Sequence, residues 1–167
     1  MLKLNKMGKT IIGVMGPGDG ATQKDIDLAT ELGRLIAKQG WVLLTGGRNV
    51  GVMNAASRGA QEEDGLVIGI LPSEDDKDAS EYLDIRICTG IGSARNNINI
   101  LSSDVVIACG SGVGTTSEIM LAFKTAKPII LLNQSDKALR FIKEISPYNP
   151  NIVQTPEQAI SRIQELL

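Results

Sequence analysis

The sequence predicts a single-domain, Rossmann-like α/β fold, in which helices cover both faces of a doubly wound, mostly parallel sheet. Short, continuously apolar segments alternate with stretches in which apolar residues recur at helical spacing. Three of the apolar segments run directly into glycine-rich turns, as buried parallel strands often do. No linker, repeat or low-complexity segment divides the 167 residues, so we expect one domain spanning 1–167.

The first half of the chain supplies three predicted strands and two predicted helices. A helix follows the first strand; we expect Thr22 to cap it, with Asp25 in its first turn, and Gly40 to close it. A second, alanine-rich helix is predicted over 52–61. Pro72 stops the third strand, and the acidic segment 73–84 lacks periodicity, so we expect a surface loop there. The three strands are predicted at 11–15, 41–44 and 66–71.

The second half continues the alternation of strands and helices. We expect Ser93 to cap a helix that runs to about residue 102 and Glu118 to lie in the first turn of the next helix. A short helix is predicted over 135–144, and Thr155 with Pro156 and Gln158 predicts a capped final helix. Four strands are predicted, at 85–88, 104–109, 128–132 and 152–153.

Three glycine-rich turns, at 16–20, 45–51 and 110–115, each follow a predicted strand. Parallel strands place such turns at one edge of the sheet, so the three turns can line a single crevice. Glycines let backbone N–H groups approach an anion, and a helix N-terminus favours negative charge. We therefore predict a site for a phosphorylated small molecule. Its predicted residues are Gly16, Gly18, Asp19, Thr45, Gly46, Gly47, Arg48, Arg95, Gly110, Ser111, Gly112, Gly114, Thr115, Thr116 and Glu118.

Other ligands of glycine-rich turns fit the sequence less well. Gly16, Gly18 and Ala21 match the spacing of a dinucleotide fingerprint, but no acidic residue follows the second strand to hold a ribose, so we expect no NAD. A P-loop is excluded because no glycine turn leads into Lys-Ser or Lys-Thr. The hydroxyls of Thr115 and Thr116 could bind the phosphate or could simply cap the helix.

Arg95 and Glu118 each have a functional and a structural interpretation. A carboxylate at Glu118 would gain about 0.3–1 kcal/mol from the helix dipole, which explains it without any ligand. Arg95 opposes the dipole of its own helix, and it could be a solvated arginine, a partner of Asp104 or a clamp for a phosphate. The neighbouring asparagines Asn96, Asn97 and Asn99 are poor helix formers and favour a polar, ligand-facing surface.

Composition excludes several classes of function. The chain has no histidine, which removes histidine-based catalysis and metal ligation, and we predict no metal site. A net charge of −2 without a basic tract argues against nucleic-acid partners, and no apolar run is long enough for a membrane span. The N-terminal residues lack the apolar core of a signal peptide, and Cys88 and Cys109 are too few for a disulfide framework. We therefore expect a cytoplasmic protein.

Three motifs together resemble the Rossmann-like superfamily of the LONELY GUY phosphoribohydrolases, also described as lysine-decarboxylase-like. They are the segment 45–53, Arg95 and the segment 112–118. The resemblance implies that Arg95 and Glu118 match the catalytic pair of enzymes that cleave a base from a nucleoside 5′-monophosphate. The enzyme motif, P-G-G-x-G-T-x-x-E, is altered here to Gly110 and Ser111 at its first two positions, and Asn96 replaces the lysine of the enzymes.

The short chain and the Gly-x-Gly-x-Gly-Thr turn are similar to the branch that contains molybdenum-cofactor carrier proteins. That resemblance implies a homo-oligomer, a dimer or tetramer, which binds molybdenum cofactor as cargo without turnover. The expected function is thus a carrier for a phosphorylated pterin. The alternative is a phosphoribohydrolase, in which Arg95 would hold the ribose phosphate and Glu118 would stabilise an oxocarbenium-like centre.

Overall fold

The protein is described by a computed structural model over residues 8–167, in which seven parallel strands form one sheet between two layers of helices. The strands are β1 Ile11–Met15, β2 Val42–Thr45, β3 Val67–Leu71, β4 Ile85–Cys88, β5 Val105–Cys109, β6 Ile129–Leu132 and β7 Asn151–Val153. The helices are α1 Gln23–Lys38, α2 Gly51–Gln61, α3 Arg95–Ser102, α4 Val113–Lys124, α5 Asp136–Ile145 and α6 Pro156–Leu166.

The strand order is β4-β3-β2-β1-β5-β6-β7, so the chain winds outward from β1 in both directions. Strand β1 pairs with β2 on one side and with β5 on the other, and every strand pairing is parallel. The order reverses between β1 and β5, where the connections leave the two carboxyl ends on opposite faces of the sheet. The predicted doubly wound, Rossmann-like class is therefore confirmed, and a crevice opens where β1 and β5 end.

Two separate apolar cores explain why the sheet needs helices on both faces. One core joins α1, α2 and α6 to the sheet through buried residues such as Leu32, Ala56 and Ile163. The other joins α3, α4 and α5 through residues such as Ile100 and Ile119. Strands β1, β2, β5 and β6 are buried on both sides, which is why their sequences are continuously apolar rather than alternating.

The caps of the helices agree with the sequence in part. At α1 the Asp25 amide donates to the Thr22 hydroxyl at 3.2 Å and the Thr22 amide donates to the Asp25 carboxylate at 2.9 Å, so a full capping box forms. Thr155 caps α6, although the Gln158 side chain accepts from the amide of Gln154 instead of that of Thr155. The predicted Ser93 cap is wrong, because Ser93 lies inside a 3₁₀ turn, Gly92–Ala94, that leads straight into α3.

The start of α4 also differs from the prediction. Gly112 is its N-cap in an extended conformation, and the helix begins at Val113. Glu118 is therefore in the second turn, not the first, so the helix dipole does not account for it. The capping alternative for Thr115 and Thr116 is likewise wrong, since both lie within the helix, where the Thr116 hydroxyl donates to the Gly112 carbonyl at 2.8 Å.

The segment 73–84 has no regular structure, as predicted, but it is fixed against the β2–α2 turn. Ser80 is fully buried, and its amide donates to the Gly47 carbonyl at 2.9 Å. Within residues 8–167 no helix has both the length and the apolar character that a bilayer span requires. Most of the N-terminal stretch from which we predicted no signal peptide lies outside the described residues.

Candidate functional site

A cavity of about 580 Å³ lies at the carboxyl edge of the sheet, and all three glycine-rich turns contribute to its wall. The β1–α1 turn supplies Gly16, Gly18 and Asp19, and the β2–α2 turn supplies Gly46 and Arg48. The third wall is the β5–α4 turn with the start of α4, together with Arg95 from α3. This wall contributes Ser111, Gly112, Gly114, Thr115 and Glu118. The topology thus brings together eleven of the fifteen residues that the sequence proposed for the site.

The other four proposed residues shape the turns and do not line the cavity. The Thr45 hydroxyl accepts from the amide of Gly47 at 3.1 Å, and Gly47 has a φ of +77° that glycine tolerates best. Gly110 has a φ of +82°, and a Cβ there would lie 2.5 Å from a carboxylate oxygen of Asp25. The Thr116 hydroxyl is engaged with the backbone of its own helix.

The β5–α4 turn is held from below by the turn that follows β6. The side-chain amide of Gln134 donates to the Gly110 carbonyl at 2.6 Å. The side-chain oxygen of Gln134 accepts from the Ser111 hydroxyl at 3.1 Å. On the other side, Asn133 donates to the buried Asp25 carboxylate at 2.7 Å, directly beneath Gly110. No side chain caps α4, so its first-turn N–H groups are left without helical partners at the cavity wall.

Arg95 and Glu118 form a buried pair across α3 and α4. Arg95 Nη1 lies 3.8 Å from Glu118 Oε1 and donates to Asn96 Oδ1 at 3.0 Å, while Asn99 donates to Glu118 Oε1 at 3.1 Å. Arg95 is only 8% exposed, so the alternative of a solvated arginine is wrong. Its guanidinium lies so close above Gly46 that a Cβ on that glycine would be 2.7 Å from Arg95 Nη2.

Burial governs the electrostatics of this pair. It raises the pKa of Glu118 to about 7, because desolvation outweighs the hydrogen bond from Asn99 and the charge of Arg95. Burial also lowers the pKa of Arg95, an effect that the Glu118 carboxylate opposes and that the nearby positive charge of Arg48 reinforces. Arg48 and Arg95 thus face a cavity whose wall also includes three acidic residues, Asp19, Asp78 and Glu118, of which Glu118 has a raised pKa.

Two buried polar atoms of residues that line the cavity have no hydrogen-bond partner within residues 8–167. They are Arg95 Nε and the Thr115 hydroxyl, and Thr115 is only 2% exposed. Buried polar groups are nearly always hydrogen-bonded, and leaving one unpaired costs about 1–3 kcal/mol. Both atoms are donors, and both belong to residues that line the cavity. The arrangement can therefore supply a guanidinium, a hydroxyl and backbone amides to the oxygen atoms of a phosphate.

Asn96, Asn97 and Asn99 were predicted to form a polar, ligand-facing surface, and only Asn96 lines the cavity. Asn97 is exposed, whereas Asn99 is fully buried against Glu118. Other wall residues, among them Pro72 and Asp78, had no local signal, because tertiary contacts bring them to the cavity.

Neither of the two cysteines lines the cavity. Cys109 is fully buried at the end of β5, and burial raises the pKa of its thiol to about 12, whereas Cys88 is exposed on β4. Within residues 8–167 no group of three histidine, cysteine or acidic side chains is placed to hold a metal ion. The fold and the cavity together define a Rossmann-like protein with a cavity at the switch point of the sheet.

The chain belongs to the SLOG cluster4 family, whose model matches residues 9–160. It is 55% identical to the molybdenum cofactor binding protein from the phototrophic bacterium Rippkaea orientalis, with a TM-score of 0.94 over 96% of this chain and 98% of the other. It is 44% identical to the molybdenum cofactor carrier protein from Chlamydomonas reinhardtii, with a TM-score of 0.89 over 95% and 98% of the two chains.

A more distant relative is an enzyme. The cytokinin riboside 5′-monophosphate phosphoribohydrolase of Mycobacterium tuberculosis is 32% identical over 120 residues, which span 65% of this chain and 62% of that protein. The resemblance to carrier proteins and to LONELY GUY enzymes that the motifs indicated is therefore confirmed. The molybdenum cofactor binding and carrier proteins are similar over almost their whole length, whereas the hydrolase is similar over less than two thirds of its own.

Proposed function

We propose that this protein binds and carries molybdenum cofactor, a phosphorylated pterin that holds molybdenum. The observation that carries the proposal is a pair of buried, unpartnered donors, Arg95 Nε and the Thr115 hydroxyl, in residues that line a cavity together with a second arginine, Arg48. Two similar proteins of known structure, at 55% and 44% identity, are named for this same cargo. The molybdenum would arrive bound to the pterin, so the protein itself needs no metal ligands.

The phosphate would occupy the end of the cavity formed by α3 and α4. There Arg95 would donate to phosphate oxygens in the bidentate manner that guanidinium groups favour, and Thr115 would donate its free hydroxyl. The first-turn amides of α4 would add backbone donors and the favourable end of the helix dipole. The Glu118 carboxyl group would remain the neighbour of Arg95 and orient it.

The test is retention of cofactor by the purified protein. We expect pterin and molybdenum to co-purify at equal molar amounts, measured as pterin fluorescence after oxidation and as elemental molybdenum. An Arg95→Ala variant should hold the cofactor about tenfold or more weakly, since a charge-assisted hydrogen bond contributes about 1.5–3 kcal/mol. Arg86→Ala is the matched control, because Arg86 is an exposed arginine on β4 that pairs with Asp76. Failure of the wild-type protein to bind the cofactor would refute the proposal.

A phosphoribohydrolase is the second candidate, favoured by the Arg95–Glu118 pair and by the relative from Mycobacterium tuberculosis. The backbone at Gly110 speaks against it. Proline has a φ near −65°, so the enzymes' proline could not adopt the φ of +82° found here. The assay is release of free base from nucleoside 5′-monophosphates such as AMP. If the wild-type protein releases free base and Glu118→Gln does not, the protein is a phosphoribohydrolase and the carrier proposal is wrong.

The proposal includes a homo-oligomer, for which exposed apolar side chains provide a surface. Ile87 on β4, Ile91 in the following turn and Leu101 on α3 are 43%, 49% and 54% exposed. Light scattering coupled to size exclusion measures the mass directly. A monomer at micromolar concentration would contradict this part of the proposal.

A further inference from the structure

One carboxylate on the cavity wall, that of Asp78, comes from the irregular segment 73–84. The backbone fixes its position from both sides. The Asn49 amide donates to the Asp78 carbonyl at 2.8 Å, and the Ser80 amide donates to Gly47. The buried Ser80 hydroxyl also donates to Asn54 Oδ1 at 2.7 Å. Asp78 is therefore held at the cavity by the fold, although its segment has no regular structure.

Asp78 differs from its neighbours in having no partner. Asp75 lies 2.6 Å from the Lys77 ammonium, and Asp76 lies 3.2 Å from the Arg86 guanidinium. Within residues 8–167 the Asp78 side chain takes part in no hydrogen bond or ion pair, although Arg48 lines the same cavity. Asp75 and Asp76 are therefore paired, whereas the exposed Asp78 is, among the described residues, an unpaired carboxylate in a residue that lines the cavity.

Asp78 lines a part of the site to which α4 contributes no residue. A smaller cavity of about 260 Å³ adjoins the main one; the two share Asp19, Arg48 and Asp78, and no residue of α4 lines the smaller one. Thr115 on α4 lines only the main cavity, whereas Asp78 lines both cavities. A ligand whose phosphate lies at Thr115 and which extends towards the smaller cavity would bring its other end to Asp78.

We propose that Asp78 selects the ring of the ligand by accepting the two adjacent N–H donors of a 2-amino-4-oxopyrimidine, the edge that pterins share with guanine. This inference rests on the proposed function, because it takes the phosphate to lie at α4. A carboxylate can accept two parallel N–H bonds at once. Adenine offers a lone pair beside its amino group, so the same carboxylate would face one donor and one repulsive acceptor.

The test uses nucleotides as probes, because GMP, IMP and AMP share the ribose phosphate and differ only in the base edge. Affinities are measured by calorimetry at one pH and one salt concentration. We expect GMP to bind about tenfold more tightly than AMP, with IMP between them because it keeps one of the two N–H donors. In Asp78→Asn the affinity for GMP should fall to that for AMP. Asp76→Asn, a change in the same segment, should leave all three affinities unchanged.

Two results would overturn this role of Asp78. Equal affinities of the wild-type protein for the three nucleotides would remove the selectivity. An equal loss of GMP and AMP binding in Asp78→Asn would mean that the carboxylate holds the ribose hydroxyls instead. The cofactor-retention experiment is separate. A protein that prefers GMP through Asp78 but retains no molybdenum cofactor would refute the carrier proposal and leave the ring selection standing.

Discussion

The guanidinium of Arg95 and the carboxylate of Glu118 approach to 3.8 Å, yet the pKa of Glu118 is raised to about 7. A nearby positive charge ordinarily lowers the pKa of a carboxyl group. Here the cost of removing the carboxylate from water exceeds the attraction of Arg95, because the side chain is almost fully buried. Arg95 is thus only weakly paired with Glu118, and its positive charge remains available to a ligand.

The raised pKa predicts how the stability of the protein depends on pH. Between about pH 4.5 and 7 the folded protein binds a proton at Glu118 that the unfolded chain has lost, so this residue lowers the free energy of unfolding as the pH rises. The effect amounts to about 3 kcal/mol at most. In Glu118→Gln this contribution should disappear, and the loss of stability from pH 5 to pH 8 should be smaller than in the wild-type protein.

Urea unfolding at pH 5 and pH 8 measures this difference. Glu165→Gln serves as the control, because Glu165 is an exposed carboxylate on α6 that pairs with Arg162. The same pH dependence in wild-type protein and Glu118→Gln would contradict a raised pKa at this residue.

Thr115→Val should have opposite effects on stability and on binding. Valine keeps the shape of threonine but removes a buried hydroxyl that has no partner, so the free energy of unfolding should rise by about 1 kcal/mol. Affinity for inorganic phosphate should fall, because one donor is lost. Thermal unfolding and phosphate titration are the measurements.

The matched control for Thr115→Val is Thr116→Val. The Thr116 hydroxyl is bonded to the Gly112 carbonyl, so its removal should not stabilise the protein. If Thr115→Val instead destabilised the protein with phosphate affinity unchanged, the hydroxyl would be part of the core and not of the site.

Gly46→Ala should weaken anion binding without altering any charge. A methyl group at this position would lie 2.7 Å from Arg95 Nη2 and 2.8 Å from Met53 Sδ, and both side chains are flexible enough to move. We expect phosphate affinity to fall about tenfold, with little change in the free energy of unfolding. Gln164→Ala is the control, since Gln164 is an exposed residue of α6 that does not line the cavity. Unchanged phosphate affinity would show that the position of Arg95 is unimportant.

Gly110 should tolerate neither alanine nor proline. Its φ of +82° is strained for alanine, and the new Cβ would lie 2.5 Å from the Asp25 carboxylate that Asn133 holds in place. We expect Gly110→Ala to lower the free energy of unfolding by about 2–3 kcal/mol. Gly110→Pro, which introduces the first residue of the hydrolase motif, should be at least as damaging.

Gly114→Ala is the control for these variants because it lies in α4 with open space around it, and alanine favours a helix. Equal stability of Gly110→Pro and the wild-type protein would show that the turn can adopt the backbone of the enzymes after all.

The two thiols should differ sharply in reactivity. Cys109 is fully buried, with its pKa raised to about 12, so it has almost no reactive thiolate at neutral pH, whereas Cys88 is exposed. A chromogenic disulfide reagent should therefore titrate one thiol per chain in native protein and two in denaturant. Two rapidly reacting thiols in native protein would place the end of β5 in contact with solvent.

The fold could be predicted from the sequence because its strands are buried on both faces. Continuous apolar segments, capped helices and glycine turns are local patterns, and together they were sufficient for the strand positions and for the shared edge. The register of α4 could not be predicted, since Gly112 and Gly114 carry no side chain that marks a helix start. That uncertainty placed Glu118 one turn too early and assigned caps to Thr115 and Thr116.

The site was predictable only where its residues belong to the glycine turns. Gly16, Gly46 and Gly112 could be placed because glycine next to a strand end is a local signal. Asp78 could not, because its position depends on hydrogen bonds between segments that are distant in sequence. The burial of Arg95 could not be predicted either, because it is a property of the assembled fold. This burial lowers the pKa of Arg95 and removes the side chain from solvent.

The pairing of β1 with β5 determines when in folding the cavity can bind a ligand. Ile12 pairs with Val105, so the two strands that flank the cavity join only after the chain has closed a very long loop. Such non-local pairing is slow and comes late in folding. A partly folded chain, for example one still on the ribosome, therefore has β1 and its turn but no opposite wall. Ligand binding must therefore follow the pairing of β1 with β5, and it can serve as a direct report that this pairing has formed.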